Sequence, residues 1–117
     1  MSYSEKQLSG LAQSNPKELA RILISPNTDT RTLTFGAEIL GGEVADETIV
    51  SPVFRFLLKH VNAVVREGAL IGVVAFYTTY TGGKVPSDIL ERVQLIANND
   101  PSPTLKEYAK DILKTFE

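Results

Sequence analysis

The chain of 117 residues is long enough to bury one hydrophobic core, and 43% of its residues are hydrophobic and 22% charged, as in folded proteins. The formal net charge is −2, with acidic and basic residues interspersed. Phosphate binding needs a concentration of Lys and Arg, so we expect no nucleic-acid partner. Cysteine is absent and histidine occurs once, so disulfides are excluded and we expect no metal site and no cofactor.

Targeting signals are not predicted. The first residues lack a basic segment followed by an apolar one, so we expect no secretory signal. The longest apolar run, residues 69–77, contains Gly72 and is too short to cross a bilayer. We therefore expect a cytoplasmic protein without a membrane partner.

Helix start signals recur along the chain. A short leading helix is predicted over residues 4–13. Asn15 stands before Pro16, and a capping side chain followed by proline at the first helical position predicts a second helix, which stops near Pro26. Apolar residues recur at helical spacing after it, as expected for a helix with one buried face.

Further helices follow from the same signals. Their predicted capping residues are Thr28 or Thr30, Asp46, Asn62, Pro86 or Ser87, and Asp100 or Ser102. Pro52 falls inside the helix that Asp46 begins, and we expect there either a kink or a late start at Ser51. Alternation with a period of two is absent over any useful length, so strands are not expected.

An internal repeat ties the helices into pairs. Three apolar positions align together with the capping residues before them: Leu33 with Thr30, Val65 with Asn62, and Leu105 with Ser102. The spacing is in the range of helical-pair repeats. A second register repeats Gly41-Gly42-Glu43-Val44 as Gly82-Gly83-Lys84-Val85, and left-handed helix C-terminal caps would explain both glycine pairs.

Residues 64–70, with the sequence Val-Val-Arg-Glu-Gly-Ala-Leu, resemble the second-helix signature of HEAT repeats. Residues 52–58 resemble the first helix, residues 99–109 look like another copy of the turn and signature, and residues 26–37 look like a looser copy. The resemblance implies an all-α fold, an α-α superhelix (solenoid) of about three antiparallel helical pairs with six to seven helices. A single domain, 1–117, would comprise a leading helix or cap at 1–15 and repeats at 16–42, 43–83 and 84–117.

Two departures from the HEAT pattern stand out. In the first copy Thr34 occupies the place of Arg66. In the turn before Asn62, His60-Val61 replaces the usual aspartate.

The second helices of HEAT pairs usually line the concave face, so the resemblance implies a binding surface there. With Val65, Ala69 and Phe76 on the buried stripe, Glu67 and Val74 lie opposite. The predicted partner-binding residues are Phe35, Glu38, Ile39, Glu67, Leu70, Ile71, Val74 and Tyr77. The apolar members fit contacts between repeats equally well, and the pattern does not separate the two interpretations.

These features predict a non-catalytic protein-protein interaction module, a small adaptor or scaffold that binds a peptide or partner protein on its concave face. No catalytic residue is predicted, because His60 has no acid, serine or cysteine predictably near it. Two alternatives stay open. One is an accessory subunit of a HEAT-like cofactor-handling enzyme of the lyase type, which a polar pocket around His60 would favour. The other is a self-associating structural protein, a homo-oligomer.

Overall fold

Seven α-helices and short connections make up residues 2–116, the part of the chain that the computed structural model describes. The helices are α1 (Glu5–Ser14), α2 (Pro16–Leu23), α3 (Thr30–Glu43), α4 (Glu47–Leu57), α5 (Ala63–Tyr80), α6 (Ser87–Asn99) and α7 (Pro103–Thr115). No strand occurs among these residues. The prediction of an all-α fold with six to seven helices is confirmed.

Side-chain caps begin most helices where the sequence predicted them. Asn15 and Ser102 each accept a hydrogen bond, at 3.3 Å, from the backbone N–H three residues further on. Asn62 accepts two such bonds and Asp46 accepts one, from residues two or three positions ahead. Ser4 forms a reciprocal capping box at the start of α1. These bonds satisfy N–H groups that a helix start leaves free.

The start of α3 differs from the prediction. Its N-cap position is Asp29, not Thr28 or Thr30, and Asp29 makes no side-chain capping bond. Thr28 is buried and donates its hydroxyl to the carbonyl of Ile22 at 2.6 Å. Its side chain therefore closes the end of α2 rather than opening α3.

Pro52 lies within α4 without delaying its start. The helix begins at Glu47, so the expected late start at Ser51 is wrong. Pro52 is exposed. A missing backbone donor costs less there, because water can reach the carbonyl left free one turn earlier.

The helices after α1 form two layers. α2 packs against α4, and α6 joins them through an ion pair between Arg55 and Asp88 at 2.6 Å; we call these three helices the even layer. α3 packs against α5, and α5 against α7; we call these the odd layer. α1 covers α2 and α3. Within residues 2–116, no helix is both long and apolar enough to cross a membrane.

The close approach of α3 and α5 accounts for several glycines. A Cβ on Gly41 would lie 2.3 Å from the carbonyl oxygen of Gly72, and a Cβ on Gly72 would lie 2.5 Å from that of Ala37. Because α3 extends to Glu43, Gly41 and Gly42 lie inside the helix and are not the left-handed cap predicted for them. Among the described residues, positive φ occurs at Gly82 and Gly83, at 65° and 88°. In the first copy of the Gly-Gly sequence, Gly41 allows the close contact with α5. In the second copy, Gly82 and Gly83 adopt positive φ in the turn after α5.

Candidate interaction surfaces

The predicted concave surface corresponds to the outward side of the odd layer, and two of its predicted residues are not on it. Leu70 and Tyr77 are wholly buried, each with 0% of its surface exposed. α5 packs against α3, α4 and α7, so it buries a second stripe besides the one that contains Val65 and Phe76. Leu70 and Tyr77 are therefore core residues that a partner could not reach.

Tyr77 is a core residue with one polar partner. Its ring packs against those of Phe54 and Phe76, with centroids 6.2 and 4.9 Å away. Its hydroxyl shares a hydrogen bond with the Ser51 hydroxyl of α4, which satisfies both buried groups. Burial raises the pKa of Tyr77. The side chain ties α4 to α5 and does not face a partner.

The other six predicted residues are half-buried on the odd layer. They are Phe35, Glu38, Ile39, Glu67, Ile71 and Val74. Burial, and then the charges of Glu67 and Glu5, raise the pKa of the Glu38 carboxyl. Burial, and then the charges of Glu67 and Glu38, raise the pKa of Tyr108 of α7. The result is an acidic surface whose apolar side chains are mostly covered by neighbours.

An apolar groove lies on the even layer between α2 and α4, where the sequence predicted no site. Its volume is about 590 Å³. Ile24 and Phe56 line it with 45% and 50% of their surfaces exposed, and Ala20, Ile49 and Val53 lie between them. Large apolar side chains left exposed around one concavity are characteristic of interaction sites. We call this feature the α2–α4 groove.

The charged side chains that line the α2–α4 groove are basic. Past Pro52 and Phe56 the groove continues into a cleft along the end of α4, beside Val61, which is 93% exposed. The basic residues along the two parts are Lys17, Arg21, Arg55 and Lys59, with His60 beside them. No carboxylate of the described residues lines either part. In a chain with net charge −2, this concentration of positive charge is local.

His60 lines a pocket of about 340 Å³ whose walls are both apolar and polar. The His60 Nδ1 accepts a hydrogen bond from the Asn62 backbone N–H at 3.0 Å. Arg66 and Asp100 line the same pocket and bond to each other. Among the described lining residues there is no hydroxyl or thiol to act as a nucleophile. His60, Arg66 and Asp100 thus hold turns together through their hydrogen bonds.

Arg66 links the second and third predicted repeats through a buried ion pair. It donates two hydrogen bonds to Asp100, at 2.9 and 3.0 Å, and their side chains are only 12% and 4% exposed. It also donates to the carbonyls of His60 and Val61. Burial pushes the pKa of Asp100 upward, but the hydrogen bonds from Arg66 and Ser102 outweigh burial and leave that pKa below its ordinary value.

His60 takes the place of an aspartate in its turn. In the turn before α7, Asp100 accepts a hydrogen bond from the Ser102 backbone N–H at 2.9 Å. In the aligned turn before α5, His60 accepts the equivalent bond from Asn62 at 3.0 Å. The imidazole nitrogen thus replaces a carboxylate oxygen as acceptor, which gives the departure from the HEAT pattern a structural role.

No group of three or more His, Asp or Glu side chains in residues 2–116 is placed to hold a metal ion. Comparison of the chain with family models, with curated proteins and with solved structures finds no significant match.

A sequence signal for the α2–α4 groove exists, although the predicted surface did not include it. α2 leads into Ile22-Leu23-Ile24, and residues 53–58 hold five apolar side chains in six positions. Neighbouring side chains on a helix point about 100° apart, so one buried face cannot cover such runs. Ile24 and Phe56 are the residues of these two apolar runs that remain exposed.

Proposed function

We propose that this chain is a short α-helical solenoid that works as a non-catalytic adaptor in the cytoplasm and binds a protein partner in the α2–α4 groove. The observation that carries the proposal is the pair of half-exposed apolar side chains, Ile24 and Phe56, on one concavity. Covering the exposed half of each by a partner would contribute roughly 1 kcal/mol per residue. An aromatic anchor beside basic residues is a common centre for a protein interface.

Three features support the solenoid part of the proposal. α2 packs against α4, α3 against α5 and α5 against α7, as in stacked repeats, and an exposed ion pair joins α4 to α6. The aligned residues His60 and Asp100 accept the same backbone hydrogen bond in their turns. The Arg66–Asp100 ion pair joins one predicted pair to the next. The helix contacts and the ion pairs are nearest-neighbour links, which is how repeat arrays are held together.

The odd layer is a second candidate surface for the same function. Its Glu38 and Glu67 form no ion pair among the described residues, so a basic partner segment could supply one. We rank it below the α2–α4 groove because its remaining apolar residues, such as Ile71, are mostly covered. The principal binding site is therefore proposed on the first helices of the pairs and not on the second.

The accessory-enzyme and self-association alternatives have less support. His60, Arg66 and Asp100 are engaged in turn hydrogen bonds and an ion pair, so they are not free to handle a cofactor. Light scattering separates self-association from partner binding, because a scaffold that binds another protein stays monomeric when pure.

The test is affinity purification from the native host with quantitative mass spectrometry. Wild type is compared with the double variant Ile24→Ala, Phe56→Ala and with Val64→Ala, a matched control at an apolar α5 residue that is 59% exposed. We expect partners recovered by wild type and Val64→Ala to be lost from the double variant, with unchanged helical circular dichroism. Equal recovery by all three proteins would exclude the α2–α4 groove. Loss on Ile71→Ala instead would favour the odd layer.

A further inference from the structure

We infer that the occupant of the α2–α4 groove is an acidic amphipathic helix of a partner protein, an inference that rests on the proposed function and specifies its partner. The groove supplies two things that such a helix matches. One is an apolar concavity between Ile24 and Phe56. The other is the positive charge of Lys17 and Lys59, which form no ion pair among the described residues, although the charge of Lys17 also acts on the Asp46 carboxylate.

Lys17 and Lys59 are the basic residues of the groove that have no ion-pair partner in the described part of the chain. Two of the four basic residues along the groove already have partners: Arg21 pairs with Glu18 at 2.5 Å and Arg55 pairs with Asp88. Lys17 and Lys59 form no ion pair among residues 2–116. Carboxylates on the flanks of an occupant would therefore meet two free ammonium groups, and a basic occupant would be repelled.

The Lys residues stand at different places along the groove. Lys17 is at the start of α2 and Lys59 follows the end of α4. Lys17 and Thr48, near the starts of α2 and α4, both line the groove. The groove thus runs from Lys17, past Phe56, to Lys59. An occupant with carboxylates near both ends fits this order.

A helix fits the groove better than an extended segment. The described residues contain no strand, so an extended segment would find no sheet edge to pair its backbone groups. Backbone groups left unpaired against Ile24 and Phe56 would be costly. A helix satisfies its own backbone, and a stripe of apolar residues three and four apart can fill the space between two neighbouring helices.

Two other occupants are outcomes of the test. Exposed apolar side chains beside Lys and Arg also suit an anionic membrane surface. A second copy of this chain could place its acidic odd layer against the groove. A concavity favours a helix over a flat membrane, and the half-buried Glu38 and Glu67 lie on helices already packed in the core of the chain.

The experiment selects binders from a display library of helical 18-residue peptides whose surface positions are randomised. The bait is the full chain. Selected peptides are then titrated by fluorescence anisotropy against wild type, Phe56→Ala, the charge-reversed variant Lys17→Glu, Lys59→Glu, and the control Val64→Ala. The same proteins are tested for sedimentation with phosphatidylserine vesicles, and their molar mass is measured by light scattering.

We expect the selected peptides to be acidic with apolar residues at helical spacing. Their affinity should fall at least tenfold for Phe56→Ala and for the charge-reversed variant, and should stay unchanged for Val64→Ala. Basic or uncharged binders would overturn the inference, and so would binders whose affinity neither variant lowers. So would vesicle binding, or a dimer, that the same variants abolish. If peptides fail while host partners still depend on Phe56, the proposed function stands and the acidic helix is wrong.

Discussion

The Arg66 side chain joins α5 to the turn that precedes it and to the turn before α7. It donates to the carboxylate of Asp100 and to the backbone carbonyls of His60 and Val61. The guanidinium has donors in a fixed planar fork, which suits several acceptors at once. When one partner of a buried pair is removed, the other charge is left unpaired, so the loss exceeds the value of the contact itself.

We expect Arg66→Ala to lower the free energy of unfolding by about 3–5 kcal/mol, as for other buried pairs that lose one partner. Arg21→Ala is the matched control, because its ion pair with Glu18 is exposed and should contribute far less to stability than the buried pair. Urea denaturation followed by circular dichroism measures both. Equal losses for the two variants would mean that Arg66 does not tie the repeats together.

Between helices, the contact of α3 with α5 depends on missing side chains. Gly41 and Gly72 meet backbone to backbone, whereas a Cβ on Gly42, the next residue along α3, would have no neighbouring atom within 4 Å. The two adjacent glycines of one helix therefore differ only in what they face. This pair separates the packing cost of a methyl group from the general preference of helices for alanine.

We expect Gly41→Ala to destabilise the protein by roughly 1–3 kcal/mol, because its Cβ would overlap backbone atoms that cannot move independently. Gly42→Ala should instead stabilise it by about 0.5–1 kcal/mol, since alanine favours the helix and nothing obstructs its methyl group. Thermal and urea unfolding of the two variants measure the difference. Two variants of equal stability would contradict the close approach of α3 and α5.

The odd layer should respond to pH through Glu38. Its pKa is raised above the ordinary 4.5 by burial and by Glu67, so ionisation of this carboxyl costs stability in the folded protein as pH rises above that value. Glu38→Gln should therefore be more stable than wild type at pH 7, and the advantage should disappear below about pH 4. Glu107→Gln, on exposed α7, should show no gain. A pH-independent effect of Glu38→Gln would refute this account.

Element starts were predictable because caps are local. Asn15, Asn62 and Ser102 bond to backbone groups within three residues, so the sequence carries the whole interaction. The role of Gly41 was not predictable in this way. Left-handed caps and close helix contacts both call for glycine, and only the position of Gly72, far along the chain, decides between them.

At the scale of the whole molecule, the two layers carry different surfaces. The odd layer presents the carboxylates of Glu38 and Glu67, and the even layer presents Lys17 and Lys59 around an apolar groove. The helices of each layer hold equal numbers of acidic and basic residues, so this difference in charge is local to the two surfaces. Long-range attraction would orient a charged partner before contact, so binding to the groove should weaken as salt rises.

The candidate site was only partly predictable from the sequence. Glu67 and Val74, which a single helical stripe places outward, are partly exposed. The same argument failed for Leu70 and Tyr77, because α5 packs against helices on more than one side and a helical wheel does not show those neighbours. Phe56 was missed because it belongs to a run of residues that all look buried, and it is exposed because no described helix covers it.

Site-specific photo-crosslinking in the native host tests the central claim most directly. A photoreactive phenylalanine analogue replaces Phe56 on the even layer, Ile71 on the odd layer or Gly10 of α1, where no atom lies within 4 Å of an added Cβ. We predict a crosslinked protein partner from position 56, absent from positions 71 and 10 and lost when Ile24→Ala is added. Crosslinks that form at position 71 and not at position 56 would contradict binding in the α2–α4 groove.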